Sequence, residues 1–462
     1  MKQIDVLPDD VLLEIFDFYL KEYSTVGTER DVEAWQMLAH VCRRWRNLVF
    51  ESPRRLNLQL CCTPEAPVRD ALDIWPALPL IVRGNTTLAG TDNVIAALGQ
   101  SNRICRVDLI FDFAYQQLEE VLAAMQVPFP ELEELRLSLY DDMPQVIPDS
   151  FLDGSAPSLR SLELDEIPFP GLPKLLLSAT RLVRLSLSNI PHSGYISPEA
   201  MADLLCALSS LETLYLGYPS SRSRPRSESR SLPPPKRFIL PALHDFHFRG
   251  IIEYLEDLVT RIDTPQLKTL GITFIHQINF YTPQLAQFII RTPKLGRHDA
   301  HVRLDDWNTI VTLEAHSGTL EIEISCGEPD SQLWSVAQIC NSSLPSLSTV
   351  KDLYIKHQYT ELVWKDYAIE NTVWLELLLP FTAVKNIYLS EEFSLGITAA
   401  LDELIGTRIA EVLPNLQNIF VEGLEPWGPF QENIGQFAGA RRRSGHPIAI
   451  SAWNQDSDLK SM

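Results

Sequence analysis

No apolar run in this 462-residue chain approaches the roughly 18 residues needed to span a bilayer, and the first ten, MKQIDVLPDD, contain no signal-peptide stretch. A cytoplasmic or nuclear protein, or one found in both places, is the expectation, with no membrane partner. Cysteine is sparse: seven residues, an odd number with no C-x-x-C pair, and the adjacent Cys61 and Cys62 make a poor structural bridge. Reduced thiols fit the same compartments. Basic residues are also short, 39 Lys and Arg against 60 Asp and Glu, for a net charge of -21 and a pI near 4.9. That balance repels a nucleic-acid backbone, so nucleic acid is a disfavoured partner. Basic protein surfaces would be attracted, although surface acid serves solvation just as well.

Catalytic signatures are missing too. There is no G-x-x-x-x-G-K to cradle phosphate, no H-E-x-x-H and no G-x-S-x-G. His244 and His247, like His298 and His301, are three apart; on strands that spacing sends them to opposite faces, which is wrong for a shared metal. The pairs Glu133-Glu134 and Glu391-Glu392 read as solvated turn and edge positions. The expectation is therefore a non-enzyme with no metal and no cofactor.

What is present is ample apolar material for a core, 45% of residues, arranged in two different periods. At the amino terminus Pro8 suits the first position of a helix, and Asp9 and Asp10 place negative charge at its positive end. Val11, Leu12, Ile15, Phe16, Tyr19 and Leu20 then form one apolar stripe, wide for so short a helix. A polar loop from Lys21 to Arg30 comes next. Beyond it Trp35, Leu38, Cys42, Trp45 and Val49 repeat the helical period, with a break near His40 to Cys42 that predicts two further short helices. Three helices of about 45 residues are marginal alone, so such a module leans on a partner or on the next domain.

The pattern Leu7-Pro8, Val11-Leu12, Ile15-Phe16 and then Leu38-Ala39, Val41-Cys42-Arg43-Arg44-Trp45-Arg46 closely resembles an F-box. The resemblance implies docking on the Skp-family adaptor of a cullin-RING ubiquitin ligase, with Leu7, Pro8, Val11, Leu12, Ile15 and Phe16 at the matching contact positions. The chain departs from the pattern in one respect, a longer segment before Trp35; loops absorb insertions cheaply. Read without the resemblance, the same stripe is the core of a helical cap on the remainder of the chain.

That remainder, from about residue 53 onward, is repetitive. Leu56, Leu58 and Leu60 alternate as a first strand, Pro79–Val82 and Val107–Ile110 predict two more, and Asp92–Gly99 reads as a helix between them. An L-x-x-L-x-L pattern then recurs in nine copies, centred on Leu135, Leu162, Leu185, Leu214, Phe246, Leu270, Leu353, Ile387 and Ile419. Amphipathic stretches lie between copies, for example Ser197–Leu208, Ile251–Ile262, Pro283–Ile290, Leu333–Cys340 and Leu401–Val412. This strand–helix unit, spaced by 23 to 34 residues, resembles a leucine-rich repeat. The inward Asn of that family is absent: its position holds Tyr140, Ile167, Ile190 and Pro219, which predicts apolar packing in place of an asparagine ladder. Residues 295–324 hold the motif only weakly, although TLEIEI is a clear strand.

Between the last two apolar positions of each copy stands a residue pointing away from the core: Arg136, Glu163, Ser186, Tyr215, His247, Gly271, Tyr354, Tyr388 and Phe420. Tyr354, Tyr388 and Phe420, flanked by Lys356, Ser390 and Glu422, make a row of aromatics. They read either as substrate-binding anchors or as rings packed on one another and beneath Trp427 and Trp453. The insertion SSRSRPRSESRSLPPPKR has no apolar period and predicts a disordered loop, residues 219–237. Its Ser223, Ser227 and Ser229 beside Arg224 and Arg226 fit phosphorylation, a basic patch, or simply a solvated loop. Arg441–Arg443 is a second basic cluster with the same alternatives.

The expected fold is α/β: a three-helix module over residues 1–52, then an irregular leucine-rich-repeat solenoid over 53–453 with strands on its concave side and helices on its convex side, and a polar tail over 454–462. Its expected role is a substrate adaptor holding a protein substrate for a Skp-family adaptor and, through it, a cullin. The alternative is a repeat scaffold unconnected with ubiquitin.

Overall fold

Pro8 stands one place before the first helix in the computed structural model, so it caps the helix where its first turn was expected; its carbonyl accepts from the Leu12 N–H at 3.1 Å. The structure describes residues 7–453 apart from 25–33, 54, 57, 66–67, 75–77, 87–89, 113–114, 141–145, 219–236, 276–279, 296–297, 306–307, 326–328, 343, 345–346, 358–369, 406–407 and 425–428. The Ser/Arg/Pro insertion, with Ser223, Arg224, Arg226, Ser227 and Ser229, and the polar tail lie outside the described residues, as do Pro219 and Trp427. The backbone divides into two compact units, residues 1–184 and 185–462.

The first unit opens with α1 (Asp9–Ser24), α2 (Ala34–Val41) and α3 (Arg43–Glu51). The helix runs four residues past Leu20, where loop was expected. The predicted break falls at Cys42, whose sulfur accepts from the Trp45 N–H and caps α3. Then come β1 (Leu60–Cys62), α4 (Val68–Ile74), β2 (Leu80–Thr86), α5 (Thr91–Leu98), β3 (Ile104–Asp112), α6 (Tyr115–Ala124), β4 (Glu134–Tyr140), β5 (Ser161–Asp165) and α7 (Leu172–Ser178). The five strands pair in parallel and in chain order. Register follows the leucine motif: Leu135 sits beside Leu162 and Leu137 beside Leu164. Leu56 and Leu58 are buried but belong to no strand; their amides bond back to the Ser52 and Pro53 carbonyls.

The second unit takes up the pattern with β6 (Arg184–Ser188), α8 (Pro198–Ala207), β7 (Thr213–Gly217), β8 (Phe238–Ile239), β9 (Asp245–Gly250), α9 (Ile252–Val259), β10 (Ile262–Asp263), β11 (Thr269–Ile275) and α10 (Pro283–Arg291). It continues through β12 (Asp299–Leu304), β13 (Asn308–Ala315), β14 (Gly318–Ser325), α11 (Pro329–Ser342), β15 (Asp352–His357), α12 (Asn371–Leu378), β16 (Asn386–Leu389), α13 (Glu391–Asp402), β17 (Asn418–Glu422), α14 (Pro429–Arg443) and β18 (Ala449–Trp453). The main sheet runs β7-β9-β11-β14-β13-β12-β15-β16-β17-β18, and every pair is parallel except those made by β13.

That exception explains the weak motif at 295–324. In place of one repeat the chain makes an antiparallel meander, entering beside β15 and leaving beside β11. Gly318 permits the tight return: a Cβ there would lie 2.2 Å from the Lys268 carbonyl oxygen, which accepts from the Thr319 N–H at 2.8 Å. The helix expected over Leu401–Val412 is displaced; α13 ends at Asp402, and the buried Leu404, Ile409, Val412 and Leu413 sit on turns. Apolar packing replaces the asparagine at Ile167 and Ile190, 3% and 5% exposed, whereas Tyr140 turns outward.

Candidate functional site

The three amino-terminal helices are held together by the residues of the Arg43–Arg46 stretch. Arg44 reaches the first turn of α1, donating from Nε to Asp9 at 3.0 Å and from Nη2 to the Leu7 carbonyl. Trp45 packs on Phe16 with ring centroids 4.7 Å apart, and Arg46 donates to the Ala39 carbonyl at 3.0 Å. The core is Leu12, Leu13, Phe16, Trp35, Leu38, Ala39 and Val49. The single wide stripe expected on α1 is thus two. Leu12 and Phe16 are 1% and 0% exposed and turn inward, while Val11 and Ile15 are 39% and 46% exposed. Pro8 is exposed and Leu7 half-buried.

Phe18, absent from the expected contact, extends the outer stripe at the i, i+4, i+7 spacing, and α2 exposes Met37 and Val41 one turn apart. The width of the apolar arc was the signal for these residues: one helix cannot bury an arc that broad against two short neighbours.

On the strands of the second unit, buried residues alternate with half-exposed ones on the face away from the helices. Tyr354, Tyr388 and Phe420 do stand side by side on that face, and the structure brings them together as a pile. Their centroids are 4.2 and 4.7 Å apart, with planes within 10° of parallel. His301 of β12 adds a fourth ring, 4.4 Å from Tyr354. Trp453 closes on the pile from the side, 5.6 Å from Tyr388, and the Lys356 ammonium lies between Tyr354 and Trp453 at 5.0 and 4.9 Å. Glu422 pairs in register with Trp453. So the inner rings are covered on both faces by one another, and the last of them, Phe420, keeps its outer face toward the small Ser451 of β18. Burial first, then the neighbouring Tyr388, pushes the Tyr354 phenol above its ordinary value.

The weak motif concealed His301, and only its register opposite Tyr354 brings it to light. Burial, with Lys356 and Arg303 as positive neighbours, pulls its pKa down to about 4. Glu314 at 3.9 Å is half-exposed and too distant for a hydrogen bond, and does not offset this. The unfolded chain, with its imidazole near 6.5, therefore binds a proton that the folded chain refuses between pH 6.5 and about 4. Stability from this group is fully present above pH 6.5 and falls through that window by on the order of 3 kcal/mol. His301→Phe keeps the ring and removes the titration. Its urea midpoint should drop less than the wild type's between pH 7 and pH 4.5, and equal drops would sink the assignment.

In the first unit the half-exposed residues of β3, β4 and β5 are ionic. Arg136 lies 3.3 Å from Glu163 and 3.9 Å from Asp108, and Arg106 lies 3.3 Å from Glu134. Half-exposed pairs of this kind orient side chains more than they stabilise. Beside them Gln59, Leu78, Arg103, Cys105, Glu131 and Glu133 line a cleft of about 710 Å³. Burial raises the Cys105 thiol, and it pushes Cys62 and Cys340 up to about 11 and about 12, so none is a ready nucleophile.

Arg441 leaves the basic cluster. It is 0% exposed and donates to the Ile409, Pro414 and Leu416 carbonyls at 3.2, 3.3 and 3.2 Å, whereas Arg442 and Arg443 are exposed.

Among the described residues no helix is long and apolar enough to cross a membrane. No curated protein sequence matches the chain. A solved structure similar to it is the leucine-rich repeat-containing protein LegL7 from Legionella pneumophila, 13% identical, covering 83% of this chain and 98% of that one with a TM-score of 0.27. At that score the repeat assignment rests on the strand register above. Residues 4–59 match the F-box-like family model, an interval spanning α1 to α3 and the turns up to Gln59, whose carbonyl accepts from Trp35 Nε1 at 2.9 Å. The chain carries an F-box-like domain at its amino terminus, followed by strand and helix units of the leucine-rich-repeat type.

Proposed function

We propose that the protein is a substrate adaptor of a cullin-RING ubiquitin ligase, docking through its F-box-like domain on a Skp-family adaptor and holding a protein substrate on its strand face. F-box-like domains generally mediate binding to Skp-like adaptors, and both kinds of domain serve interaction and not catalysis. The observation that carries the reading is the exposed outer stripe made by Pro8 and, on α1, Val11, Ile15 and Phe18, on a module that buries Leu12, Phe16 and Trp35 as its own core. Leu12 and Phe16 support the contact from beneath, by fixing α1 against Trp45. The mechanism is proximity: substrate lysines are held near a charged conjugating enzyme carried elsewhere on the assembly. Co-expression with a Skp-family adaptor should yield a one-to-one complex on gel filtration, and elution of the two proteins apart at micromolar concentration would refute the reading.

The second reading, a repeat scaffold with a helical cap, is favoured by the ties from α1 and α2 to the turns that lead into β1: Trp35 to Gln59, and Arg55 to Glu14. It expects no adaptor complex, and aggregation when residues 1–52 are deleted.

A further inference from the structure

Two ladders cross the strand face of the second unit, and both stop at the same place. The ring pile runs His301, Tyr354, Tyr388, Phe420 on successive strands; the next residue in register is Ser451 of β18, small and exposed. One side chain over, Asn386 Nδ2 donates to Asp352 Oδ1 at 2.6 Å and Asn418 Nδ2 donates to Asn386 Oδ1 at 2.7 Å. The direction of this second ladder is fixed by its first member. A carboxylate only accepts, so Asn386 turns its NH2 to Asp352 and its oxygen to Asn418, which must then send its own oxygen outward over β18. The next residue there is Ala449, exposed and without a side-chain donor, its N–H already given to the Gln417 carbonyl, and among the described residues nothing donates to that oxygen.

The strip over Ala449 and Ser451 is thereby bounded by an aromatic face and an in-plane amide acceptor. A group that completes both ladders is flat and carries N–H donors in its plane, and the acidic balance of the chain favours one that is also positively charged. The guanidinium of arginine meets all three conditions; an ammonium is not flat, tyrosine and tryptophan rings carry no charge, and an imidazole is largely neutral at pH 7. We infer that this strip is a slot for an arginine side chain of the protein substrate, stacked on Phe420 and donating to Asn418. The chain's net charge of -21 draws a basic segment toward it. The inference rests on the strand face being the substrate side of the adaptor proposed above.

The test is calorimetric titration of the full-length chain with the peptide Gly-Ser-Gly-Arg-Gly-Ser-Gly, capped at both ends, and with its lysine and citrulline counterparts. Citrulline keeps the plane and loses the charge; lysine keeps the charge and loses the plane. The arginine peptide should bind about tenfold more tightly than either. Asn418→Leu should lower its affinity to that of the lysine peptide. Ser451→Phe, which adds the chain's own fifth ring to the pile, should abolish binding while near-UV circular dichroism shows an intact fold. Equal affinity for arginine and lysine, or undiminished binding by Ser451→Phe, overturns the slot. Adaptor complex formation on the same samples reads the proposed function separately: a failed slot with an intact complex leaves docking standing, and arginine selectivity without a complex does the reverse.

Discussion

Replacing Val11 and Ile15 together with Asp should weaken capture of a Skp-family adaptor by on the order of a thousandfold while the three helices stay folded. Both side chains stand well out of the module, so covering them removes the remainder of each from water, worth roughly 1 kcal/mol apiece. Burying an unpartnered carboxyl at each site, even once it has taken up a proton, adds about 1–3 kcal/mol more per residue, and the low end of the total, about 4 kcal/mol, is already three decades. The cost to the free helix is small, since Asp at an exposed helical position loses at most about 0.7 kcal/mol relative to Ala. Phe16→Ala serves as the contrast: it empties the space against Trp45 and should cost about 3–5 kcal/mol of stability, losing the adaptor by losing the module. Surface plasmon resonance on immobilised adaptor, with far-UV circular dichroism on the same samples, separates the two. Wild-type affinity in Val11→Asp/Ile15→Asp would remove this face from the contact; loss of helix in that variant, without Phe16 being touched, would mean the face is core.

The nine strand copies were legible because each repeats the same buried triplet against its neighbour, so that local pattern and tertiary register agree; Leu353, Ile387 and Ile419 are in line in both. Where sequence reading departs from the structure, apolar spacing reported burial correctly and element type incorrectly. Leu56 and Leu58 alternate and are buried, yet no neighbouring strand pairs with them. On α1 the spacing could not divide the arc into Leu12 and Phe16 within and Val11 and Ile15 without, because that depends on where Trp45 arrives from α3. His301 was hidden for a related reason: its place in the ring pile comes from the pairing of β12 with β15, which the reversed strand β13 makes possible and no local motif encodes. Of the expected substrate row, the neighbours were readable from strand spacing, but their face-to-face stacking was not.

The segment after α13 shows the same failure with the largest energetic consequence, because its buried Leu404, Ile409, Val412 and Leu413 suit a helix that does not form, and a residue far along the chain makes up for it. Turns in an apolar setting leave carbonyls without partners, and Arg441 of α14 supplies three of them, at Ile409, Pro414 and Leu416. Its desolvation shows in a guanidinium held below its ordinary pKa by burial. Phe437 lies one turn earlier, its ring centroid 5.9 Å from the guanidinium carbon, and recovers a little of that cost. Arg441→Met, of similar length and apolar, avoids a buried charge but orphans the three oxygens. At about 1–3 kcal/mol for each unsatisfied buried group, and with some relaxation, the loss should be about 3–5 kcal/mol. For a unit of this size that is a fall in Tm of roughly 6–12 °C. Arg441→Lys, with one compact charge and no planar fork, can serve only part of the set and should fall between. Arg442→Met and Arg443→Met, at exposed positions, should change Tm by less than about 1 °C. Differential scanning calorimetry on the four variants orders them. If Arg441→Met melted with the wild type, the turns after α13 would have to be satisfied by some other donor, and the cluster's first arginine would return to the surface role its sequence neighbours share.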